Sequence, residues 1–363
     1  MPQGNLRMSA RWSGIAQAVI ATAAGIALLY FLRDILVPFI LALVLAVLVN
    51  ALVRFIGNQS PWAPRWASVV VAGLLVLLCA VVTAIIFVQG AAQMVKQAPQ
   101  LIERLDEIVM QLGSASGLRR PLHLATLTGS VNVPQLAGSL LGSVGNFFSG
   151  LLLMITYFIF MIAGRRHVQE KFKRLAESTG GGNVENAALQ IADDIETYLW
   201  VQTVTGVMIG AASALAMFAV GLDHTIFWTI VLFLLCYIPI IGVTVGSVVP
   251  ALFALLQFPT WWQAAVVFGV IQAVAFIVGN FIYPRMQAET QNIDPVATLL
   301  SLAFWGYLWG LTGAFLAVPL TLIVMMICAH FPRARWVAIL LSNDGRVAFP
   351  GEVPKKKRRR GKS

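Results

Sequence analysis

The composition of this 363-residue chain excludes an ordinary soluble domain, because 59% of its residues are hydrophobic and only 11% are charged. Soluble domains carry about 25% charged residues. The formal net charge of +10 suggests nucleic-acid binding until it is located, since seven of those charges lie in the C-terminal run KKKRRRGK. Behind a membrane bundle, such a run favours a cytoplasmic tail near anionic lipid over a nuclear import signal or a nucleic-acid site. We expect no nucleic-acid partner.

Apolar runs long enough to cross a bilayer recur along the chain, at about 20 residues per span. We count eight, at residues 12–32, 35–56, 66–90, 142–163, 198–221, 225–256, 262–283 and 297–331. The sixth and eighth are long enough to be broken, tilted or re-entrant. The predicted fold is therefore all-α: a polytopic membrane protein with about eight transmembrane helices, some of them broken or re-entrant.

The distribution of Lys and Arg predicts the orientation. With both termini in the cytoplasm, the basic loops and the tail lie inside, as the positive-inside rule requires. The predicted units are residues 1–90 (helices 1–3), 91–141 (an external amphipathic helical subdomain), 142–163 (helix 4), 164–197 (a cytoplasmic helical hairpin), 198–331 (the core of helices 5–8) and 332–363 (a basic cytoplasmic tail). The protein is predicted to be multi-pass in the inner (plasma) membrane of a bacterium.

Enzyme chemistry finds no support in the sequence. The four histidines are isolated, and the chain has no phosphate-binding loop, no GxSxG and no HExxH. The three cysteines lie in apolar runs without metal-ligand spacing, and are interpreted as packing residues. We expect no catalytic residue, no cofactor and no metal.

The segment Tyr237–Pro250, YIPIIGVTVGSVVP, places Pro239, Gly242, Gly246 and Pro250 inside an uncharged apolar run. A proline lacks the amide hydrogen, and a carbonyl freed in hydrocarbon must be satisfied by protein or water. Broken helices of this kind usually line a cavity or a pathway. A kinked packing helix, in which the small residues allow close helix contact, is the alternative.

Polar residues inside the predicted spans are the other candidates. As helix-to-helix contacts the neutral ones contribute about 0.6–2 kcal/mol each, and as pathway lining they would suit a small neutral solute. They are Gln202, Thr244, Ser247, Gln272 and Asn280, with Asn280 favoured because Pro284 follows four residues later. Charges that could gate or couple are Asp193, Asp194 and Glu196 at the cytoplasmic mouth of span five, and Glu289 and Asp294 on the predicted external loop. Interfacial solvation is the alternative for these carboxylates.

The order of motifs resembles the autoinducer-2 exporter family of bacterial membrane proteins. The resemblance rests on YLWVQTVTG in span five, PIIGVTVGSVVP in span six, GNFIYPRM closing span seven, the pair Asp294–Pro295, and GLTGAFLAVPL in span eight. It implies an eight-span homo-oligomer, expected to be a pentamer, whose family is linked to export of autoinducer-2 and also to sodium/proton antiport. Carried over by position, its pattern falls on Pro239, Gly242, Gly246, Pro250, Asn280, Pro284, Pro295, Gly310, Gly313 and Pro319. The loop QAETQNIDP departs from the pattern.

The favoured function is export of a small hydrophilic molecule, with spans five to eight forming the route; autoinducer-2 is one candidate. A sodium/proton antiporter and a non-transporting membrane scaffold are the alternatives. Antiport is disfavoured because spans six and seven and the body of span eight contain no carboxylate or histidine to carry a proton. We therefore predict a neutral polar substrate that moves down its own gradient or with sodium.

Overall fold

The computed structural model describes residues 3–59, 65–115, 149–164, 182–239, 241–287, 293–330 and 334–345, together with residues 167, 170 and 171. The helices in these ranges are α1 (Gln3–Phe31), α2 (Arg33–Gln59), α3 (Arg65–Ala115), α4 (Ser149–Gly164), α5 (Gly182–Val220), α6 (Thr225–Cys236), α7 (Ile241–Gln257), α8 (Trp262–Ile277), α9 (Tyr283–Gln287), α10 (Pro295–His330) and α11 (Arg335–Leu341). A π-helical segment, Val278–Ile282, joins α8 to α9. The all-α polytopic fold is confirmed.

Helical segments long and apolar enough to cross a bilayer account for most of the predicted spans. Among the described residues they are Arg33–Arg54, Ala67–Gln97, Ala192–Val220, Trp262–Met286 and Pro295–Ala329. Shorter apolar helices are described over Val19–Phe31, Ser149–Gly164, Thr225–Cys236 and Ile241–Gln257. The prediction that spans six and eight are broken is confirmed, and both double back on themselves.

Hairpin 1 (residues 225–257) replaces the sixth predicted span. Its legs are α6 and α7, of 12 and 17 residues. At 1.5 Å per residue they rise about 18 and 25 Å, less than the roughly 30 Å hydrocarbon core. The side chain of Gln257, at the end of α7, accepts a bond from the Asp223 amide at 2.9 Å and donates to the Gly221 carbonyl at 3.2 Å. The chain therefore returns to the end from which it entered.

Hairpin 2 (residues 295–330) is formed by α10. Its helix is interrupted at Gly310, where φ is 64° and ψ is −144°. The indole nitrogen of Trp305 donates to Thr321 Oγ1 at 3.2 Å, although residues sixteen apart in a straight helix would lie about 24 Å apart. At its base, the Asp294 amide donates to the Leu341 carbonyl at 3.0 Å. Hairpin 2 therefore also begins and ends on one side.

The two hairpins enter the bundle from opposite ends. The base of hairpin 1 lies beside Gly221, at the C-terminal end of α5, which we call the Gly221 end. At the other end of α5, Arg54 of α2 pairs with Glu196, and we call this the Arg54 end. α8 starts next to hairpin 1 and runs back along α5, and Ile293 and Leu341, at the base of hairpin 2, pack against the apolar cluster that contains Ile195 of α5. The base of hairpin 2 therefore follows at the Arg54 end.

This arrangement bears on one part of the predicted topology. An unbroken sixth span would place Asp294 on the opposite side of the membrane from Asp193. Because hairpin 1 returns to the end from which it entered, Asp193 and Asp294 both lie at the Arg54 end of the bundle; the side of the membrane that each residue faces stays a prediction. Glu289 lies outside the described residues. So do residues 116–141 of the predicted external subdomain, most of residues 165–181 of the predicted cytoplasmic hairpin, and residues 346–363 of the predicted tail.

The long helix α3 braces the base of hairpin 1. It continues without interruption past residue 91, where the predicted external subdomain begins, to Ala115. Gly90 packs so closely on the Phe227 ring that a β-carbon there would overlap it. About two turns further, Gln97 Oε1 lies 3.2 Å from His224 Nε2. The sequence break at residue 91 is therefore a change from membrane-spanning to amphipathic character within one helix.

Candidate functional site

The tips of the two hairpins meet inside the bundle. Tyr237, at the tip of hairpin 1, lies against Phe315, five residues beyond the kink of hairpin 2, with ring centroids 4.7 Å apart and the rings inclined by 30°. Tyr237 is only 4% exposed. Since the hairpins enter from opposite ends, this contact joins two elements that reach it from the two ends of the bundle.

One face of α5 supports the tip of hairpin 1. The Tyr198 hydroxyl donates to the Tyr237 carbonyl at 3.0 Å, and the Gln202 amide nitrogen donates to the Cys236 carbonyl. The Tyr237 hydroxyl lies 2.6 Å from Thr203 Oγ1. The last carbonyls of a helix lack partners within it, and in an apolar interior they must find other donors. Neutral side chains of α5 supply them here.

The predicted glycines of span six are close-contact positions. A β-carbon at Gly242 would overlap the backbone carbonyl of Leu235 in the other leg, and one at Gly246 would overlap the end of the Leu232 side chain. A backbone atom cannot move aside cheaply, whereas a leucine methyl group can. Gly242 is therefore the position at which only glycine allows the two legs to approach.

Hairpin 2 uses the same device at its own tip. Gly310 supplies the positive φ of the turn, a conformation that glycine adopts without a steric penalty. A β-carbon at Gly313 would overlap the Trp305 carbonyl. The tip is anchored by Trp309, whose indole nitrogen donates to the Leu29 carbonyl in α1 at 3.0 Å.

The remaining candidates of span six line the buried side of α7 or face outward. Ser247 and Pro250 are buried, and Ser247 donates to the Thr244 carbonyl at 2.9 Å. Thr244 itself is exposed. Pro239 lies at the tip of hairpin 1, and Pro319 is buried in the returning leg of hairpin 2.

The candidates of span seven do not join this site. Gln272 is half-buried, whereas Asn280 and Pro284 are exposed. Asn280 lies in the π-helical segment, and its amide nitrogen donates to the Phe276 carbonyl at 2.8 Å. The side chain therefore makes a local backbone bond on the outer surface of the chain.

The carboxylates have structural partners at the Arg54 end. Arg54 lies 2.7 Å from Glu196 and 3.4 Å from Asp193, while Asp194 is half-buried beside them. Asp294 Oδ1 accepts the amides of Val296 at 2.8 Å and Ala297 at 3.2 Å, so it caps the first turn of α10. No group of three or more His, Cys, Asp or Glu that could hold a metal occurs among the described residues.

Sequence reasoning missed the aromatic and hydroxyl members of the site. Tyr198, Thr203 and Phe315 lie in the motifs that carry the family resemblance and Tyr237 lies two residues before one of them, yet none was selected. A signal existed for the tyrosines, because a buried tyrosine hydroxyl usually finds a hydrogen-bond partner. Phe315 offered none, since its role depends on a contact between segments 78 residues apart.

Known proteins similar to this chain match it over most of its length. The sequence profile of the AI-2E family transporters matches residues 19–333. A putative transport protein of Haemophilus influenzae is 27% identical over 349 residues, covering 94% of this chain and 98% of that protein. The AI-2 transport protein TqsA of Escherichia coli K12 is 26% identical, with 86% of this chain and 91% of TqsA covered. The putative permease PerM of the same strain is 24% identical, covering 86% and 92%.

Proposed function

We propose, since this chain belongs to the AI-2E family of transporters, that it moves a small neutral polar solute between the tips of its two hairpins. Family membership supports membrane transport as the activity. The route and the kind of solute are inferred from the geometry of the site.

The observation that carries the proposal is the contact of Tyr237 with Phe315. Two hairpins that enter from opposite ends and overlap at their tips form two gates in series. Alternating access requires that a site near the midplane be closed first from one side and then from the other. Separation of the two rings would open such a path, and their contact represents the closed state.

The chemistry around the contact favours a solute without charge. Hairpin 1 (225–257) and residues 295–329 of hairpin 2 contain no Asp, Glu, His, Lys or Arg. The polar groups near the tips are hydroxyls, an amide and backbone carbonyls, supplied by Tyr198, Gln202, Thr203 and Tyr237. Groups of this kind, where they are not already bonded to one another, exchange hydrogen bonds with a hydroxylated solute or coordinate sodium through oxygen, but do not carry protons near neutral pH.

Autoinducer-2 is the first named solute to test, because the relative TqsA bears the name of an AI-2 transport protein. The proposal includes export as the direction, the bacterial inner membrane as the location, and both termini in the cytoplasm. The Lys/Arg distribution supports that orientation.

A homo-oligomer, with the pentamer as first expectation, is part of the same proposal. Asn280 is exposed on the protomer within the span Trp262–Met286, and a carboxamide facing lipid is unfavourable. Contact with a second copy of the chain would remove that cost.

Flux into vesicles reconstituted with the purified protein tests the proposal. We expect uptake of at least one neutral solute from a panel of autoinducer-2, labelled pentoses and polyols, and no change when a proton gradient is dissipated. Phe315→Ala should change the rate several-fold, while Phe304→Ala, on the same hairpin and against Trp305 rather than Tyr237, should not. Flux that collapses with the proton gradient would support antiport instead, and no flux of any solute would favour a scaffold.

A further inference from the structure

Gln202 carries a feature that its capping role does not explain. The residue is 8% exposed, and its amide nitrogen is used by the Cys236 carbonyl. Its other polar atom, Oε1, is shielded from solvent and has no hydrogen-bond partner. Leaving a buried acceptor unsatisfied is unfavourable, and such groups in native structures usually have a ligand, a water or a functional reason.

The position of Gln202 links this oxygen to the proposed route. It lies one turn after Tyr198 on the face of α5 that meets hairpin 1. One turn later on that face, a β-carbon at Gly206 would lie 3.2 Å from Phe233 and 3.5 Å from the Cys236 side chain, so α5 and α6 are in close contact there. The free oxygen is therefore held at the tip of hairpin 1, at the level where the tip meets hairpin 2.

We propose that Gln202 Oε1 is the specificity-determining acceptor of the transported solute and takes a hydrogen bond from a solute hydroxyl group. This inference rests on the proposed function. The solute class it selects is a neutral polyhydroxylated molecule. An anion would be repelled by the carbonyl oxygens around the tip, and a solute without a donor would leave Oε1 unsatisfied.

A capping residue and a recognition residue differ in what their loss does. Gln202→Met keeps the size of the side chain but removes both the cap and the free acceptor. Tyr198→Phe is the matched control, because it removes the cap of the neighbouring Tyr237 carbonyl and no unpartnered acceptor. A change that follows from the cap alone should appear in both variants.

The experiment compares flux of the best-transported member of a pentose and polyol panel with flux of its deoxy analogues, in vesicles containing the full chain. For the wild type we expect about tenfold or greater discrimination against the analogue that lacks the recognised hydroxyl, as buried hydrogen-bonding sites show. Gln202→Met should reduce this ratio to less than about twofold. Tyr198→Phe should slow all solutes alike and keep the wild-type ratio.

The possible outcomes separate failure of the role of Gln202 Oε1 from failure of the proposed transport function. Unchanged discrimination in Gln202→Met, or equal loss in both variants, overturns the role of Oε1 while leaving transport intact. Wild-type flux with no discrimination among analogues also overturns it. Absence of wild-type flux for every solute overturns the proposed function itself, and the role of Gln202 with it. If Gln202→Met does not fold, Gln202→Asn, which retracts the amide by one methylene, replaces it with the same expected loss of discrimination.

Discussion

Hairpins 1 and 2 place glycine and proline at corresponding positions but differ in how deeply their returning legs are buried. Each places a glycine just after its tip against a backbone carbonyl of the facing leg: Gly242 against Leu235 and Gly313 against Trp305. Each also carries a proline in its returning leg, at Pro250 and Pro319. The shared plan shows that both breaks permit tight antiparallel legs and are not simple kinks.

The packing of the returning legs differs. In hairpin 2, Leu316 and Ala317 are fully buried and Leu322 is nearly so. In hairpin 1, Val245 and Leu252 of α7 are 40% and 54% exposed. Elements with fewer buried contacts open at lower free energy. Hairpin 1 is therefore the better candidate for the moving gate, and hairpin 2 for the fixed wall.

The largest expected effect is on the side of the membrane from which a position can be labelled, since labelling from one side is all or none. Single cysteines at Asp223 and Arg285 should label with an impermeant reagent from opposite sides, because hairpin 1 does not cross and α8 to α9 does. Both positions are exposed. Eight uninterrupted spans would put both positions on one side. Labelling of both from the same side in intact cells would contradict the two hairpins.

Alanine at the two tip glycines tests whether the hairpins differ in role. Each β-carbon would overlap a backbone carbonyl, and overpacking costs about 1–3 kcal/mol. Gly313→Ala should lower the yield of folded protein, because hairpin 2 is part of the core. Gly242→Ala should leave the yield near normal and reduce flux at least about tenfold. Size-exclusion profiles and vesicle flux measure the two effects.

Two controls accompany these variants. Gly246→Ala meets only the movable end of Leu232 and should cost less than Gly242→Ala. Gly269→Ala, in α8, has no neighbour within 4 Å and should behave as wild type. Equal losses at Gly242 and Gly269 would mean that the close contact in hairpin 1 has no special role.

The sequence predicted the helical class and the two broken spans, because apolar length and Pro/Gly spacing are local properties. It left open whether these spans are broken, tilted or re-entrant. The answer depends on contacts such as Trp305 with Thr321 and Gln257 with Gly221, which join residues far apart in the chain.

Asn280 and Gln202 had the same sequence signal, an amide in an apolar span. Only the packing separates them, with Asn280 on the outer surface and Gln202 at the hairpin tip.

The smallest expected effect is at the carboxylates of the Arg54 end. Asp193→Asn, Asp194→Asn and Glu196→Gln should each keep most of the wild-type flux. The side chains of Arg54 and Asp193 are 64% and 68% exposed, and exposed ion pairs contribute about 0–1 kcal/mol. The Glu196 side chain is 13% exposed, and Glu196→Gln keeps a polar side chain of the same size beside Arg54. Inactivation by any one of the three, together with dependence on a proton gradient, would assign that carboxylate a coupling role.

The most direct test of the two-gate account is to join the tips. In a protein without Cys79, Cys236 and Cys328, Tyr237→Cys and Phe315→Cys would be linked by a short reducible bifunctional thiol reagent, and solute flux measured before and after reduction. If the tips must separate, linking should stop flux and reduction should restore it, while either single cysteine treated alike keeps its own rate. Full flux through the linked protein would contradict a route between the hairpin tips.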